Sequence, residues 1–284
     1  IMTSTTNYWD NIERVKEFLN TADAVLVGIG AGMSTAAGLT YSGERFHKYF
    51  DDFHKKYGIT DMYSGGFYSF ESIEEYWVWW SRHIYYNRYD ISAGEPYIWL
   101  MELLQNKNYF VITTNVDHQM QLAGVDKNRL YYMQGDYGLW QCSKPCHQKT
   151  YDNEEQVCRM VKEQKDMKIP TELIPHCPRC GELMTMNLRI DGTFVQDEGW
   201  YAAQKRYTDF VEKYKDKRIV LLELGVGLNT PMIIKYPFMR MANHNIDALY
   251  VPINMEKQTI PFEIQHNTIV FNDDILKVLN DLLP

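Results

Sequence analysis

Five short apolar runs, separated by stretches with helical spacing, constrain the fold of this chain most strongly. The first run, residues 24–30, ends in glycines and follows a segment, residues 9–20, whose apolar residues recur at helical spacing. The other runs span residues 109–113, 219–225, 247–253 and 268–271, and helical patterns lie between them around residues 97–105 and 199–214. Buried strands that alternate with helices are typical of parallel sheets. The sequence therefore predicts an α/β fold with a mostly parallel, doubly wound sheet.

Two stretches interrupt this alternation. Residues 46–92 are aromatic and helix-prone, and residues 138–198 contain all five cysteines and a charged run over residues 152–168. We interpret them as two insertions that together build a smaller second domain, with residues 1–45, 93–137 and 199–284 forming the larger one. The aromatic block between Tyr63 and Trp99 is expected to be core of the small domain rather than a substrate platform, because aromatic side chains contribute most to core burial.

Charge and hydropathy exclude several classes of partner. The net charge is −8, whereas nucleic-acid binding needs a basic face that neutralises phosphates. No apolar run approaches the roughly 18–20 residues of a membrane span. The N-terminal sequence lacks the basic and then apolar layout of a signal peptide. We expect a cytoplasmic enzyme with neither a nucleic-acid nor a membrane partner.

Four cysteines form two chelating pairs, Cys142 with Cys146 and Cys177 with Cys180. Thiolates from two turns can close a tetrahedral zinc site, and a site with four protein ligands has no open position, so its role is structural. The alternative is four free thiols without a metal. His147 could replace one thiolate, and Cys158, on a charged helix, is interpreted as a spare thiol.

The glycine-rich turn over residues 28–34 follows the first strand. Glycine allows the backbone to turn with positive φ or to approach a phosphate closely, and N–H groups at a helix N-terminus bind a pyrophosphate. We expect Ser34 to open the following helix. The spacing differs from the ordinary dinucleotide fingerprint, and a tight turn that binds nothing is the alternative.

Polar residues follow the second strand, where Thr113 and Thr114 lead into Asn115 and Asp117. In a doubly wound sheet, ligands bind beyond the carboxyl ends of the strands. Asn115 can donate to and accept from a carboxamide or a ribose hydroxyl. Simple helix capping by Asn and Asp explains the same residues equally well.

Taken in order, these motifs resemble the sirtuin family across roughly residues 24–275. The run Gly30-Ala31-Gly32-Met33-Ser34 with Gly38 is similar to the first sirtuin motif, and Thr114-Asn115-Val116-Asp117 to the Thr/Gln-Asn-Ile-Asp motif. The cysteines stand where the sirtuin zinc ribbon is expected. Gly225-Val226-Gly227-Leu228-Asn229-Thr230-Pro231 is similar to the Gly-Thr-Ser-Leu-x-Val-x-Pro loop, and Pro252-Ile253-Asn254 to the late strand whose Asn holds the adenine-side ribose.

The resemblance implies a Rossmann-like large domain, a small domain with a zinc ribbon and a helical module, NAD as co-substrate and structural Zn²⁺. It assigns the following residues to cofactor binding: Gly30, Ala31, Gly32, Ser34, Gly38, Tyr41, Arg45, Asn115, Asp117, Gln134, Gly225, Gly227, Asn229, Asn254 and Ile275. It assigns catalytic roles to Asn115, Asp117, Gln134 and Arg189.

The chain departs from the sirtuin pattern at three places. Gln134-Gly135 stands where ordinary sirtuins carry His-Gly, residues 38–46 are lengthened without proline, and the substrate-pinning Val-x-Phe-Gly-Glu segment is not recognisable in residues 187–194. These departures resemble the macrodomain-linked class of microbial sirtuins. That class implies ADP-ribosylation of a lipoylated carrier related to glycine-cleavage protein H, with a functional link to a macrodomain hydrolase.

Replacing histidine with glutamine separates the two halves of sirtuin chemistry. In deacylation a general base helps a ribose hydroxyl attack an alkylimidate, and histidine suits that task because its pKa lies near neutral pH. A glutamine amide does not titrate there, and general-base help is worth about 10²–10⁴-fold in rate. Cleavage of the nicotinamide bond needs no such base, and an anionic carboxylate acceptor needs no deprotonation.

Three functions remain open from the residues alone. The first is a protein mono-ADP-ribosyltransferase acting on a lipoylated carrier. The second is a weak NAD-dependent deacylase or NAD glycohydrolase, and the third is a catalytically silent NAD-binding module. Arg189 could orient an acidic acceptor or a lipoyl carboxamide, or it is simply a surface arginine.

Overall fold

The computed structural model of the protein describes residues 7–284. Its helices and strands, in chain order, are α1 (Tyr8–Thr21), β1 (Ala24–Ile29), α2 (Ala31–Ala36), α3 (Gly43–Tyr57), α4 (Met62–Gly65), α5 (Ile73–Ile84), α6 (Glu95–Leu103), β2 (Tyr109–Thr113), α7 (Gln119–Leu122), β3 (Leu130–Tyr132), β4 (Gly135–Cys142), β5 (Tyr151–Asp152), α8 (Glu154–Glu163), β6 (Met184–Leu188), α9 (Glu198–Tyr214), β7 (Ile219–Leu224), α10 (Lys235–His244), β8 (Ala248–Ile253) and α11 (Ile275–Leu282). A π-helical turn, Tyr85–Tyr89, continues α5.

The larger sheet has five parallel strands in the order β3-β2-β1-β7-β8. Strand order reverses between β1 and β7, which is the switch point where doubly wound sheets bind ligands. Four of the five predicted strands are confirmed. The fifth prediction is wrong in detail, because residues 268–271 join β8 only through isolated bridges at Thr268 and Phe271. The remaining strand is β3, which is too short to show as an apolar run.

Strand β1 shows why its run of apolar residues folds as a two-faced strand. Val25, Val27 and Ile29 pack in a core with α1, α6 and α11. The intervening Ala24 and Leu26 pack in a second core with α9 and α10 on the other side of the sheet. Successive side chains of a strand point to opposite faces, so a strand covered by helices on both sides must be apolar throughout. This arrangement confirms the doubly wound prediction.

A third core lies beside the parallel sheet and contains most of the aromatic block. It joins α3, α5 and α8 to a three-stranded antiparallel sheet of order β5-β4-β6. Trp77 and Trp79 are fully buried there, as expected for core residues, while Tyr63 and Phe67 are exposed. Each face of α8 has a different role, since Val157 and Met160 enter this core within the otherwise charged run. Residues 154–163 of the charged run therefore form an amphipathic helix.

Among residues 7–284, no helix is both long enough and apolar enough to cross a bilayer.

Candidate functional site

A cavity of about 300 Å³ opens at the carboxyl ends of β1 and β2, beside the point where strand order reverses. Its lining comes from α2, the segment that follows α2, the π-helical turn and the loop after β2, and comprises Ala31, Ser34, Thr35, Leu39, Tyr41, Asn87, Thr114, Asn115, Val116 and Asp117. Five residues predicted to bind a cofactor from two distant segments thus line one cavity: Ala31, Ser34, Tyr41, Asn115 and Asp117. Polar groups converging in a cavity of this size are typical of a small-molecule site.

Asn115 and Asp117 are held by a hydrogen-bond network at the floor of this cavity. The Asn115 amide donates to the Gly30 carbonyl at 2.8 Å and lies 3.2 Å from the hydroxyls of Ser34 and Tyr97. The Ser34 hydroxyl donates to one oxygen of Asp117. Since the network joins α2, α6 and the segments that follow β1 and β2, it holds both side chains in place without a ligand.

The Asp117 carboxylate also bonds to the backbone at the start of α7, although His118 and not Asp117 occupies the N-cap position. Its second oxygen accepts from the backbone N–H of Gln119 at 3.1 Å, at the start of α7. Burial raises the pKa of Asp117, opposed by the hydrogen bond from Ser34. Asp117 therefore lines the cavity and satisfies a backbone N–H of α7 at the same time.

The glycines of the first turn are explained by a close approach between two loops. Gly32 N–H donates to the Gly225 carbonyl at 2.9 Å, and a Cβ on Gly30 would lie 2.6 Å from that oxygen. Gly225 has φ +64°, and a Cβ there would lie 2.4 Å from the backbone nitrogen of Met33. Contact with a phosphate is thus not needed to explain these glycines.

The helix after this turn begins earlier than predicted. α2 starts at Ala31, with Gly30 as its N-cap, and Ser34 lies inside the helix. From there its hydroxyl reaches the Asp117 carboxylate and lies 2.8 Å from the Tyr97 hydroxyl. Gly38, at φ +83°, lets the chain leave α2 in the left-handed region.

Arg45 bonds to Asn87, a residue of the cavity wall, without lining the cavity itself. Its guanidinium donates to the side-chain oxygen of Asn87 and to the Tyr86 carbonyl, both at 2.8 Å, and to the Thr40 carbonyl at 3.0 Å. Asn87 lines the cavity but was missed from the sequence. The available signal was a lone asparagine within an aromatic helical block. Arg45 is placed to hold Asn87 and the segment before α3.

The remaining predicted cofactor residues lie around the ends of β7 and β8. Asn254 is buried, and its amide donates to the Val226 carbonyl at 3.2 Å. Gly227 and Asn229 lie in the loop after β7, where Asn229 is exposed. Ile275 is the first residue of α11, and its side chain is buried in the core that α11 shares with β1. None of these residues lines the cavity formed around Asp117.

Gln134 and Arg189 are brought together although 55 positions separate them in the sequence. Arg189 N–H donates to the Gln134 carbonyl at 3.0 Å, beside the pairing of Gly135 with Leu188. Gln134 is half-buried in the turn before β4, and the Arg189 side chain is exposed. A bond from Tyr137 N–H to the Val116 carbonyl, 2.9 Å, ties β4 to the cavity wall.

Asp136 is a buried carboxylate that sequence reasoning missed. One oxygen accepts from Arg88 Nε at 3.0 Å and from Gly138 N–H at 2.7 Å, and the other pairs with His118 Nδ1. These charges and hydrogen bonds hold the pKa of Asp136 below its usual value despite burial. The cluster joins the π-helical turn, the loop after β2 and the start of β4.

The four predicted metal ligands converge at one end of the antiparallel sheet. The Sγ atoms of Cys142, Cys146, Cys177 and Cys180 all lie within 4.8 Å of one another. The pair Cys142–Cys180 is separated by 3.5 Å and the pair Cys146–Cys177 by 3.6 Å, too far for disulfides. Tetrahedral zinc with bonds of about 2.3 Å places its sulfurs about 3.8 Å apart, so the donor set fits Zn²⁺ with no open position.

The other candidate ligands lie outside this donor set. His147 Nδ1 is 3.0 Å from Cys146 Sγ, and its other ring nitrogen pairs with the Tyr151 hydroxyl at 2.7 Å. His147 therefore supports a ligand instead of replacing one. Cys158 lies on α8, and burial raises the pKa of its thiol.

Comparison with known proteins places this architecture in a family. Residues 30–213 match the family described as the Sir2 family. A protein ADP-ribosyltransferase of Staphylococcus aureus is 39% identical over 272 residues, covering 95% of this chain and 86% of that protein. A probable bifunctional ADP-ribose hydrolase/ADP-ribosyltransferase of Fusarium oxysporum is 33% identical over 240 residues, covering 80% of this chain and 39% of that protein.

Solved structures share the fold at low sequence identity. Sir2Tm bound to a propionylated peptide superposes with a TM-score of 0.61 at 16% identity, covering 95% of both chains. The complex described as Sir2-p53 peptide-NAD+ gives a TM-score of 0.60 at 17% identity, again covering 95% of both chains. With a family match over well more than half of its length and a 39% identical relative that it covers almost throughout, the chain belongs to the Sir2 family.

Proposed function

We propose that the protein is a sirtuin-type protein mono-ADP-ribosyltransferase that consumes NAD and releases nicotinamide. One observation carries the proposal: the polar groups suited to nicotinamide cleavage converge in one cavity, whereas a glutamine replaces the titratable base that deacylation needs. The name of the Staphylococcus aureus relative, protein ADP-ribosyltransferase, supports the same activity.

The cavity residues divide the work of the first step. Asp117 offers a carboxylate oxygen to the amide N–H of a nicotinamide, and Asn115 orients the ring or the adjoining ribose. Ser34 and Tyr97 hold both side chains in place, so little reorganisation is needed when charge develops. Apolar Leu39 and Val116 exclude water from the cationic ribose.

Bound NAD supplies the ADP-ribosyl group, whose bond to nicotinamide breaks as the acceptor bonds to the same ribose carbon. An acceptor carboxylate provides the electron pair, and the departing nicotinamide takes the pair of the broken bond. No proton is removed from such an acceptor, which is why Gln134 suffices where a histidine would be required for deacylation. Gln134 contributes hydrogen bonds that position the ribose or the acceptor.

The acceptor that we propose is a lipoylated carrier related to glycine-cleavage protein H. Arg189 supports it, because an exposed guanidinium lies beside the Gln134 turn and can orient an acidic residue or a lipoyl carboxamide. We also propose a functional link to a macrodomain hydrolase, and the Fusarium relative supports it, because its name joins ADP-ribose hydrolase and transferase activities. The four-cysteine zinc site has a structural role in this proposal, because it has no open position.

Incubating the purified protein with labelled NAD and with lipoylated or unlipoylated carrier tests the proposal. We expect label on the lipoylated carrier, nicotinamide in equal amount and little label on the unlipoylated form. Label on neither protein would overturn the transferase. Nicotinamide that matches a deacylated peptide one to one, without labelled protein, would indicate a deacylase.

A further inference from the structure

A chain of three hydrogen-bonding side chains runs from the small-domain core to the cavity. His83 Nε2 lies 2.8 Å from the Tyr137 hydroxyl, which in turn hydrogen-bonds to the Tyr41 hydroxyl. Tyr41 lines the cavity, whereas His83 and Tyr137 are 2% and 5% exposed. The Tyr41 hydroxyl is therefore linked to two buried side chains that lie outside the cavity lining.

All three members of the chain are neutral at physiological pH. Burial lowers the pKa of His83 to about 3, so its imidazole carries one proton. Burial raises the pKa of Tyr41 to about 12 and the pKa of Tyr137 well above its usual value. With one proton on each group, the hydrogen bonds can be donated in two consistent directions. In the outward direction each group donates toward the cavity, from His83 to Tyr137 to Tyr41, and in the inward direction each donates toward His83.

The buried nitrogen at the inner end favours the outward direction. His83 Nδ1 has no hydrogen-bond partner among the described residues and is shielded from solvent. Orphaned buried N–H donors are rarer than unpaired acceptors, so the proton belongs on Nε2. Nε2–H then donates to Tyr137, Tyr137 donates to Tyr41, and the Tyr41 proton is left for the cavity.

The charge in the cavity favours the same direction. Asp117 lines the same cavity, and its negative charge contributes to the raised pKa of Tyr41. The inward direction would turn a Tyr41 lone pair toward the cavity that holds this carboxylate. The outward direction turns the O–H dipole toward it, which is the favourable orientation.

We propose that His83, acting through Tyr137, fixes Tyr41 as a hydrogen-bond donor to the carbonyl oxygen of a primary carboxamide bound in the cavity. The proposal rests on the proposed function, in which nicotinamide occupies this cavity. An acceptor at Asp117 and a donor at Tyr41 complement the amide N–H and the carbonyl oxygen of one carboxamide. His83 and Tyr137 are positioning residues, and Tyr41 sets specificity.

Calorimetry in the presence of ADP-ribose measures the affinities of two probes, nicotinamide and thionicotinamide. The ratio of the two affinities reports the hydrogen bond that Tyr41 donates to the carbonyl oxygen. Sulfur is the poorer acceptor, so we expect the wild type to prefer nicotinamide by about fivefold, the worth of one hydrogen bond. Tyr41→Phe should remove this preference, and Tyr137→Phe should reduce it. Adding Tyr137→Phe to Tyr41→Phe should change nothing further.

Tyr89→Phe is the matched control, because Tyr89 is hydrogen-bonded to Asn153 and does not line the cavity. It should retain the wild-type preference. His83→Gln, whose amide can still donate to Tyr137, should keep the preference, whereas His83→Leu should weaken it. An unchanged preference in Tyr41→Phe would overturn the proposal.

The tautomer of His83 gives an independent test. Nitrogen-15 NMR of histidine-labelled protein, with the signal assigned from His83→Gln, should show the proton on Nε2. A proton on Nδ1 would overturn the outward direction even if binding is as expected. One readout is binding and the other is spectroscopy, so both remain interpretable if only transferase activity is absent. If nicotinamide does not bind at all, both this proposal and the proposed function are contradicted.

Discussion

The backbone N–H of Arg189 donates to the carbonyl of Gln134 across 3.0 Å, so two places at which the sequence departs from the sirtuin pattern are hydrogen-bonded to each other. Both departures from the sirtuin pattern thus occupy one structural position. A change in reaction and a change in acceptor are expected to occur together at such a position.

Gln134→His restores a titratable group to the turn before β4. We expect the rate of peptide deacylation to rise by about 10²-fold, the lower end of what general-base catalysis provides. Gln134→Ala is the control: it lacks a titratable group and should show no such rise. If the histidine variant deacylates no faster than the alanine variant, the altered segment around Arg189 also blocks that reaction.

Zinc should be present at one ion per chain, as measured by elemental analysis of the purified protein. Cys142 and Cys177 are buried in the same core as Trp140. Removing the ion with a strong chelator, or substituting Cys177→Ser, should therefore abolish the near-UV circular dichroism of the small-domain tryptophans. Cys158→Ser should change neither the zinc content nor this signal. A well-folded, metal-free preparation would contradict the site.

Gly225→Ala should destabilise the protein by about 3 kcal/mol. A methyl group there meets the backbone of Met33 and Gly32 at a positive φ, where clash and left-handed strain add. Gly227→Ala, in the same loop but with open space around it, should cost less than about 1 kcal/mol. Equal midpoints of urea unfolding for the two variants would show that the loops do not pack as described.

Lys235 forms a buried ion pair with Glu223, whose other oxygen accepts from the Tyr250 hydroxyl at 2.6 Å. Lys235→Met leaves that carboxylate uncompensated and should cost about 3–5 kcal/mol of unfolding free energy. Lys277→Met removes an exposed pair with Asp273 and should cost less than about 1 kcal/mol. The double variant Lys235→Met with Glu223→Gln should regain part of the lost unfolding free energy. If Lys235→Met destabilises the protein no more than Lys277→Met does, the buried ion pair is refuted.

The lowered pKa of His83 predicts a dependence of stability on pH. The native imidazole stays neutral down to a pKa of about 3, while the unfolded one binds a proton near its ordinary pKa of about 6.5. Between these values the unfolded state holds more protons, so stability falls as pH decreases, by about 1.4 kcal/mol per pH unit. His83→Gln should lack this contribution, and its unfolding free energy should converge with that of the wild type only below pH 6.5. Parallel curves between pH 5 and 7 would contradict a buried neutral His83.

The fold was predictable because most of its strands are continuous apolar runs that can be recognised in the sequence. Continuous apolar runs such as residues 24–30 can only be buried on both faces, and they led to the right sheet. β3 was not predicted because three residues are too few to show a periodic pattern. Residues 268–271 were predicted as a full strand because an apolar run has the same sequence pattern whether it pairs along its length or at two points only.

The site was predictable only where motifs mark it. Asn115, Asp117 and Ser34 stand in recognisable motifs and converge in one cavity. Asn87, Asp136 and His83 carry no motif, and their roles depend on which segments the fold brings together. The glycines of the first turn were predicted to allow close approach to a phosphate. In the structure it is the loop at Gly225 that requires them, and this contact joins residues nearly two hundred positions apart in the sequence.

Asp136 has a mechanical consequence for the corner of the fold in which it is buried. Its carboxylate is held by Arg88, His118 and the Gly138 N–H, so it ties together the three segments that meet there. Moving any one of these segments away would leave a buried carboxylate short of a partner, which costs more than the loss of an exposed hydrogen bond. We therefore expect this corner to stay closed when the exposed loop around Leu228 and Asn229 moves.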